Sequence, residues 1–167
     1  MLLVRGDKMS EKLFAGLTYE QAIRKFSKTV TGVCIMRLKN YADVEDCFQN
    51  TFVKLYTSSK IFADEDHLKA WLIRIAINEC TDLLRKSRWF APFEDARKAK
   101  ADFPEDSIDI SWALLKTPQK YRDVLYLYYC EQYKVSEIAE ILGINEAAVK
   151  GRLRRGREKL KDIYGGD

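Results

Sequence analysis

The sequence predicts an all-α fold of two small helical domains joined by a linker, the second carrying a helix-turn-helix. Three observations lead there. Apolar residues recur at three- and four-residue steps along most of the chain, and no stretch alternates as a half-buried strand does. That periodicity stops after Trp89, where Pro92 and Pro104 appear and residues 91–110 hold three basic against six acidic side chains. Beyond this stretch, Val135 to Ile163 reads as a short helix, a turn and a longer helix. The boundaries are therefore drawn at 1–90, 91–107 and 108–167.

Composition fits such a chain. At 167 residues, 47% hydrophobic and 32% charged, it suits one domain or two small ones and argues against wholesale disorder. No apolar run approaches the roughly 20 residues that span a bilayer, and the opening MLLVRGDKMSEKLF lacks the features of a signal peptide, so a cytoplasmic location is expected. Cys34, Cys47, Cys80 and Cys130 are scattered among apolar residues without a Cys-x-x-Cys, and His67 is the single histidine. This spacing predicts core thiols and no metal site. No nucleophile accompanies His67, so no catalytic group and no cofactor are expected.

The elements follow in order. Tyr19, Ala22, Ile23, Phe26, Val30, Val33, Cys34 and Leu38 predict a first helix, with Thr18 as cap and Gln21 completing a capping box. Ala42, Val44, Cys47, Phe48, Thr51, Phe52, Leu55 and Tyr56 predict a second, starting near Tyr41. Its first turns carry Asp43, Glu45 and Asp46. Carboxylates there interact favourably with the helix dipole, and an acidic, Gln-containing face equally suits docking on a basic partner. Residues 57–66 read as a loop. A third helix from about His67 to Arg88 is apolar on most sides, which places it at the centre of a bundle. It ends in Arg85-Lys86-Ser87-Arg88-Trp89-Phe90, which suits phosphates and unstacked bases as well as a helix C-terminus.

The aperiodic stretch between Trp89 and Asp109, about 20 residues, reaches roughly 70 Å fully extended at ~3.3–3.6 Å per residue. After it, residues 108–115 predict a short helix, and Thr117-Pro118 predicts the start of another, with Thr117 as cap and Pro118 at the first helical position. The tyrosines at 121, 126, 128, 129 and 133 fall at helical spacing and read as core in preference to a stacking platform.

Within the helix-turn-helix, Ile138, Ala139, Ile141 and Leu142 mark the first helix. Gly143 supplies a left-handed end, Ile144 plugs the interhelical angle, and Asn145 caps the second helix. On that second helix Val149, Leu153, Gly156 and Leu160 fall on one stripe; Ala147, Lys150, Gly151, Arg154 and Arg155 fall on a face turned away from it. Residues 146–161 hold seven Lys or Arg against two Glu, whereas the whole chain carries +4. The charge is concentrated where a helix could enter a DNA major groove.

Four stretches, ADVEDCFQNTFVKLY, AWLIRIAINECTDLLRKSR, TPQKYRDVLYLYY and VSEIAEILGINEAAVKGRLRRGREKL, resemble in this order the bacterial RNA polymerase sigma factors of the extracytoplasmic-function class. The resemblance implies a dissociable specificity subunit that is not itself an enzyme and that directs core RNA polymerase to −10 and −35 promoter elements. It implies that Asp43, Glu45, Asp46, Gln49 and Phe52 dock on the polymerase. It assigns Asn78, Asp82, Arg85 and Lys86, with a base pocket in the Phe62 to Asp66 loop, to the −10 element, and Lys150, Gly151, Arg154 and Arg155 to the −35 element. It also implies an anti-sigma factor, often membrane-linked, as a further partner. Three positions depart from the family pattern: Ile77 stands where a polar residue is frequent, Thr117 where leucine is usual, and Asn50 where an acid is common. An ordinary dimeric helix-turn-helix regulator would explain Val135 to Ile163 but leaves the Asp43 to Gln49 face and Trp71 to Arg88 without a role.

Overall fold

The computed structural model describes residues 11–90 and 110–165, apart from the side chains of 88–90 and 110–112. The linker expected over 91–107 lies outside them, as do the side chains of Trp89 and Phe90. The described residues form helices α1 (Tyr19–Ile35), α2 (Tyr41–Thr57), α3 (Glu65–Phe90), α4 (Ile110–Lys116), α5 (Gln119–Leu125), α6 (Val135–Leu142) and α7 (Glu146–Tyr164), and no strand. A π-helical turn, Tyr126–Cys130, extends α5.

In the N-terminal half, α1, α2 and α3 pack as a three-helix unit. Thr18 Oγ1 accepts from the Gln21 N–H at 3.2 Å and the Gln21 side chain accepts from the Thr18 N–H at 2.9 Å, so the capping box forms as its residues require. Asn40 caps α2 through the Asp43 N–H at 2.9 Å. The third helix starts two residues earlier than the apolar pattern predicts. Asp64 Oδ1 accepts from the His67 N–H at 2.8 Å, which makes Asp64 the cap and draws Glu65 and Asp66 into the first turn, where carboxylates meet the positive end of the dipole. Cys34, Cys47 and Cys80, one from each helix, are buried together as expected. Burial, and then the neighbouring Cys80, pushes the Cys47 thiol up to about 12; a hydrogen bond to Cys34 and burial push Cys80 up as well. Cys130 breaks the expectation of a core thiol: it lies at the end of the π-helical turn, where the chain leaves the bundle, and it is exposed.

In the C-terminal half, α7 lies across α4, α5 and α6. Thr117 does not cap α5. It is buried, and its hydroxyl donates back to the Ala113 carbonyl at 2.9 Å, so it closes α4 while Pro118 takes the cap position without a side-chain bond. Arg122 completes that corner. Its guanidinium donates to the carbonyls of Leu114, Leu115 and Thr117, each at 2.8 Å, and satisfies the end of α4. Burial lowers its pKa from the ordinary arginine value. Tyr121 is buried and Tyr126, Tyr128 and Tyr133 are half-buried, as the core reading requires; Tyr129 is exposed.

The two halves touch. Arg122 also donates to the Met36 carbonyl at 2.6 Å, Arg37 pairs with Asp123 at 2.8 Å, and Lys69 pairs with Glu131 at 2.9 Å. The buried apolar side chains of both halves form one continuous cluster.

Candidate nucleic-acid and polymerase interface

The helix-turn-helix is built by its caps. Gly143 takes φ +65°, and behind it the Ile144 N–H reaches the Ala139 carbonyl at 3.0 Å while the Gly143 N–H reaches Glu140 at 3.3 Å. This pair of bonds is a Schellman end, and it requires the left-handed residue that glycine supplies cheaply. Asn145 Oδ1 accepts from the Ala148 N–H at 2.7 Å and starts α7. Ile144, half-buried, packs against the core between the helices. The turn is thus fixed at both ends by hydrogen bonds and in the middle by burial.

Val149, Leu153 and Gly156 are buried beneath α7, and Leu160 is half-buried, as the stripe predicts. A Cβ on Gly156 would stand 2.9 Å from Leu125 Cδ1 and 3.3 Å from Tyr121 Cβ, so glycine there sets how closely α7 approaches α5. On the opposite side Lys150, Arg154 and Arg155 are exposed, and none of them makes an ion pair or side-chain hydrogen bond with a described residue. Beyond its chain neighbours and its own helix backbone, no described residue lies within 4 Å of where a Gly151 Cβ would stand. The sequence-expected −35 set therefore forms one open, cationic face around a position that leaves room for a phosphate or base edge. Arg157, one turn on, is occupied otherwise: it donates to Tyr129 Oη at 2.7 Å and lies over the Tyr128 and Tyr129 rings.

On α2, Glu45, Asp46 and Gln49 are exposed, and Asp43 is held by the Asn40 side-chain amide at 2.7 Å. Phe52, expected on the docking face, is instead buried, with its ring 4.9 Å from that of Phe48. An aromatic ring removed from water stabilises the bundle by about 2 kcal/mol, which an exposed position would forfeit. The large apolar residues that α2 does expose are Tyr41, Val53 and Tyr56. Tyr56 was expected on the buried stripe; it lies at its edge, packed against Tyr19 with ring centroids 5.1 Å apart. Glu45, Gln49, Val53 and Tyr56 follow one another up the helix, giving an acidic end and an apolar end.

On α3, Asn78, Asp82, Arg85 and Lys86 are all exposed. Asp82 and Arg85 stand 3.7 Å apart at the surface, a loose pair. Arg74, which the sequence reading left out, lies one turn before Asn78 on the same exposed face.

The loop between α2 and α3 corrects a further expectation. Phe62 does not line an open base pocket. It is buried, edge-on to Trp71 and His67 at 5.3 and 5.5 Å. His67 Nδ1 accepts from the Ala63 N–H at 3.1 Å, so the histidine anchors the loop. The large apolar side chain that the loop presents is Ile61, 89% exposed, beside the exposed Lys60. Only tertiary packing could reveal this exchange, since Ile61 and Phe62 are both apolar and adjacent. Among the described residues no group of His, Cys, Asp or Glu could hold a metal ion, and no helix is long and apolar enough to cross a membrane.

A helix-turn-helix with an open basic face, joined to a three-helix unit with an acidic face and a cationic third helix, is the arrangement of a two-part promoter-recognition subunit. The family model for sigma-70 region 2 matches residues 22–90 and that for sigma-70 region 4 matches residues 113–160. The chain is 32% identical to the ECF RNA polymerase sigma factor SigW of Bacillus subtilis, over 77% of this chain and 79% of that protein. It is 26% identical to SigM of the same organism, over 89% and 96%. The solved structure of CnrH in complex with the cytosolic domain of CnrY superposes with a TM-score of 0.65 at 26% identity, covering 89% of this chain and 88% of that one. The complex of the sigma factor RpoE with the anti-sigma factor NepR from Bartonella quintana gives the same TM-score at 21% identity, and it supports the fold. The chain belongs to the ECF RNA polymerase sigma factors, and it directs promoter-specific transcription initiation.

Proposed function

We propose the following division of labour among its residues. Lys150, Arg154 and Arg155, with Gly151 between them, enter the major groove of the −35 element. A good bidentate base contact there is worth ~1–3 kcal/mol, and most of the remaining affinity comes from phosphates. Asn78, Asp82, Arg85, Lys86 and Arg74 face the −10 element, with Ile61 supplying the apolar side chain that the loop offers to unstacked bases. Glu45, Asp46 and Gln49, continued by Val53 and Tyr56, dock on core polymerase, with Asp43 at the edge. The chain acts in the cytoplasm as a specificity subunit with no catalytic group of its own. An anti-sigma factor is its regulatory partner; the similar CnrH is solved in complex with the cytosolic domain of a second protein, CnrY.

The observation that carries this reading is the exposed face of Lys150, Arg154 and Arg155 on α7, which pairs with no described residue, on a turn fixed at both ends. The test is in vitro transcription with purified core polymerase on a library of promoter templates. Wild type initiates at defined sites. Asp46→Ala loses initiation through weaker polymerase binding, and Lys150→Ala with Arg154→Ala loses it on templates that depend on the −35 element. Duplex binding without any polymerase-dependent initiation would overturn the assignment in favour of a dimeric regulator.

A further inference from the structure

Between the α2–α3 loop and α6 lies a cleft of about 370 Å³. That size falls in the roughly 300–1,000 Å³ range of small-molecule sites. Trp71, Tyr133 and Ile141 give it apolar surface, Lys60 and Arg74 bring positive charge from the loop and α3, and Glu137 and Glu140 bring negative charge from α6. Asp66, in the first turn of α3, adds a third carboxylate.

These charges do not cancel one another. Lys60, Asp66, Arg74 and Glu140 are exposed, and none of them forms an ion pair or side-chain hydrogen bond with a described residue. Glu137 accepts from the Lys134 N–H at 2.8 Å, a bond that holds its side chain in place and leaves its charge uncompensated. Tyr133 is held as well, with Lys69 Nζ 5.3 Å from its ring centroid. Its hydroxyl is buried without a hydrogen-bond partner among the described residues, a rare condition in folded proteins. Burial, and then the carboxylates of Glu131, Glu137 and Asp66, push its pKa up, so the group stays neutral.

We propose that this cleft binds a small zwitterion with a flat apolar body, of the class of the free aromatic amino acids. Its carboxylate lies against Lys60 and Arg74, its ammonium against Asp66, Glu137 and Glu140, and its ring against Trp71 and Tyr133. The lining selects this class by exclusion. Three carboxylates repel a phosphate ester, two cations repel a polyamine, and an uncharged ring would take water from both sets of charges and return nothing. Exposed charges attract weakly through water and salt, so a ligand of this size binds with a Kd of about 1 mM. The ligand occupies Arg74, so it competes with the −10 strand; this consequence rests on the −10 role proposed for that residue.

Isothermal titration calorimetry of the full chain with three probes separates the charges. L-Tryptophan carries both, tryptamine only the ammonium, and indole-3-acetate only the carboxylate. Each single-charge probe should bind about threefold more weakly than L-tryptophan, the scale of an exposed ion pair. Glu140→Gln should weaken L-tryptophan and tryptamine by a similar factor and spare indole-3-acetate, while Lys60→Ala with Arg74→Ala should do the reverse. The substituted side chains are exposed, and an unchanged Tm checks that the fold persists. In transcription, saturating L-tryptophan should lower initiation by wild type and leave Glu140→Gln unaffected. No binding at millimolar L-tryptophan, equal affinity for the three probes, or losses that follow neither charge overturns the site and leaves the sigma assignment intact. Charge-specific binding with initiation unchanged upholds the site and removes Arg74 from the −10 set.

Discussion

Two glycines on α7 separate packing from recognition. Gly156 faces Leu125 and Tyr121 across the core, so Gly156→Val overpacks and should lower stability by about 1–3 kcal/mol in urea denaturation. Gly151 faces open space, so Gly151→Ala should raise stability by about 1 kcal/mol through helix propensity. It should nonetheless weaken binding to −35 duplex in a fluorescence titration, because the new methyl stands between the helix and the groove. The thiols divide similarly. A native thiol-disulfide exchange assay should find Cys130 reactive and Cys34, Cys47 and Cys80 protected, all four reacting only in denaturant. Below about pH 9 the Cys47 thiol is protonated in both folded and unfolded chains. Between there and about 12 the folded chain alone keeps the proton, so its stabilising contribution falls as pH rises. Thermal melts should accordingly decline less steeply above pH 9 in Cys47→Ala than in wild type.

At the scale of elements, the caps decide where recognition surfaces begin. Asn145 provides the side-chain bond that starts α7, so Asn145→Ala should cost about 1 kcal/mol and fray the turn that carries Lys150. The expected readout is a lower Tm together with weaker −35 binding, whereas Lys150→Ala should weaken binding at unchanged Tm. The start of α3 shows a boundary that sequence periodicity placed two residues late. Asp64 and Asp66 are both suited to cap the helix, and only the bond from the His67 N–H singles out Asp64. Thr117 was misjudged for the related reason that a threonine before a proline suits both the end of one helix and the start of the next. Arg122, which satisfies the carbonyls at that corner, lies five residues further on and gives no local signal.

For the whole molecule, the one-dimensional pattern determined a great deal. Helical periodicity, the glycine and asparagine of the turn, and the basic face of α7 all depend on contacts within a few residues, and the structure returns each as read. The acidic face of α2 and the polar face of α3 were legible for the same reason. Burial of Phe62, exposure of Ile61, Tyr56 and Cys130, and the addition of Arg74 were not, because adjacent apolar or charged residues exchange inside for outside according to what packs against them. Above all, the sequence determined two helical units and left their relation open. Only the tertiary structure decided that they close on each other, since Arg37–Asp123, Arg122–Met36 and Lys69–Glu131 join residues that chain position keeps far apart and that fall on no shared periodicity.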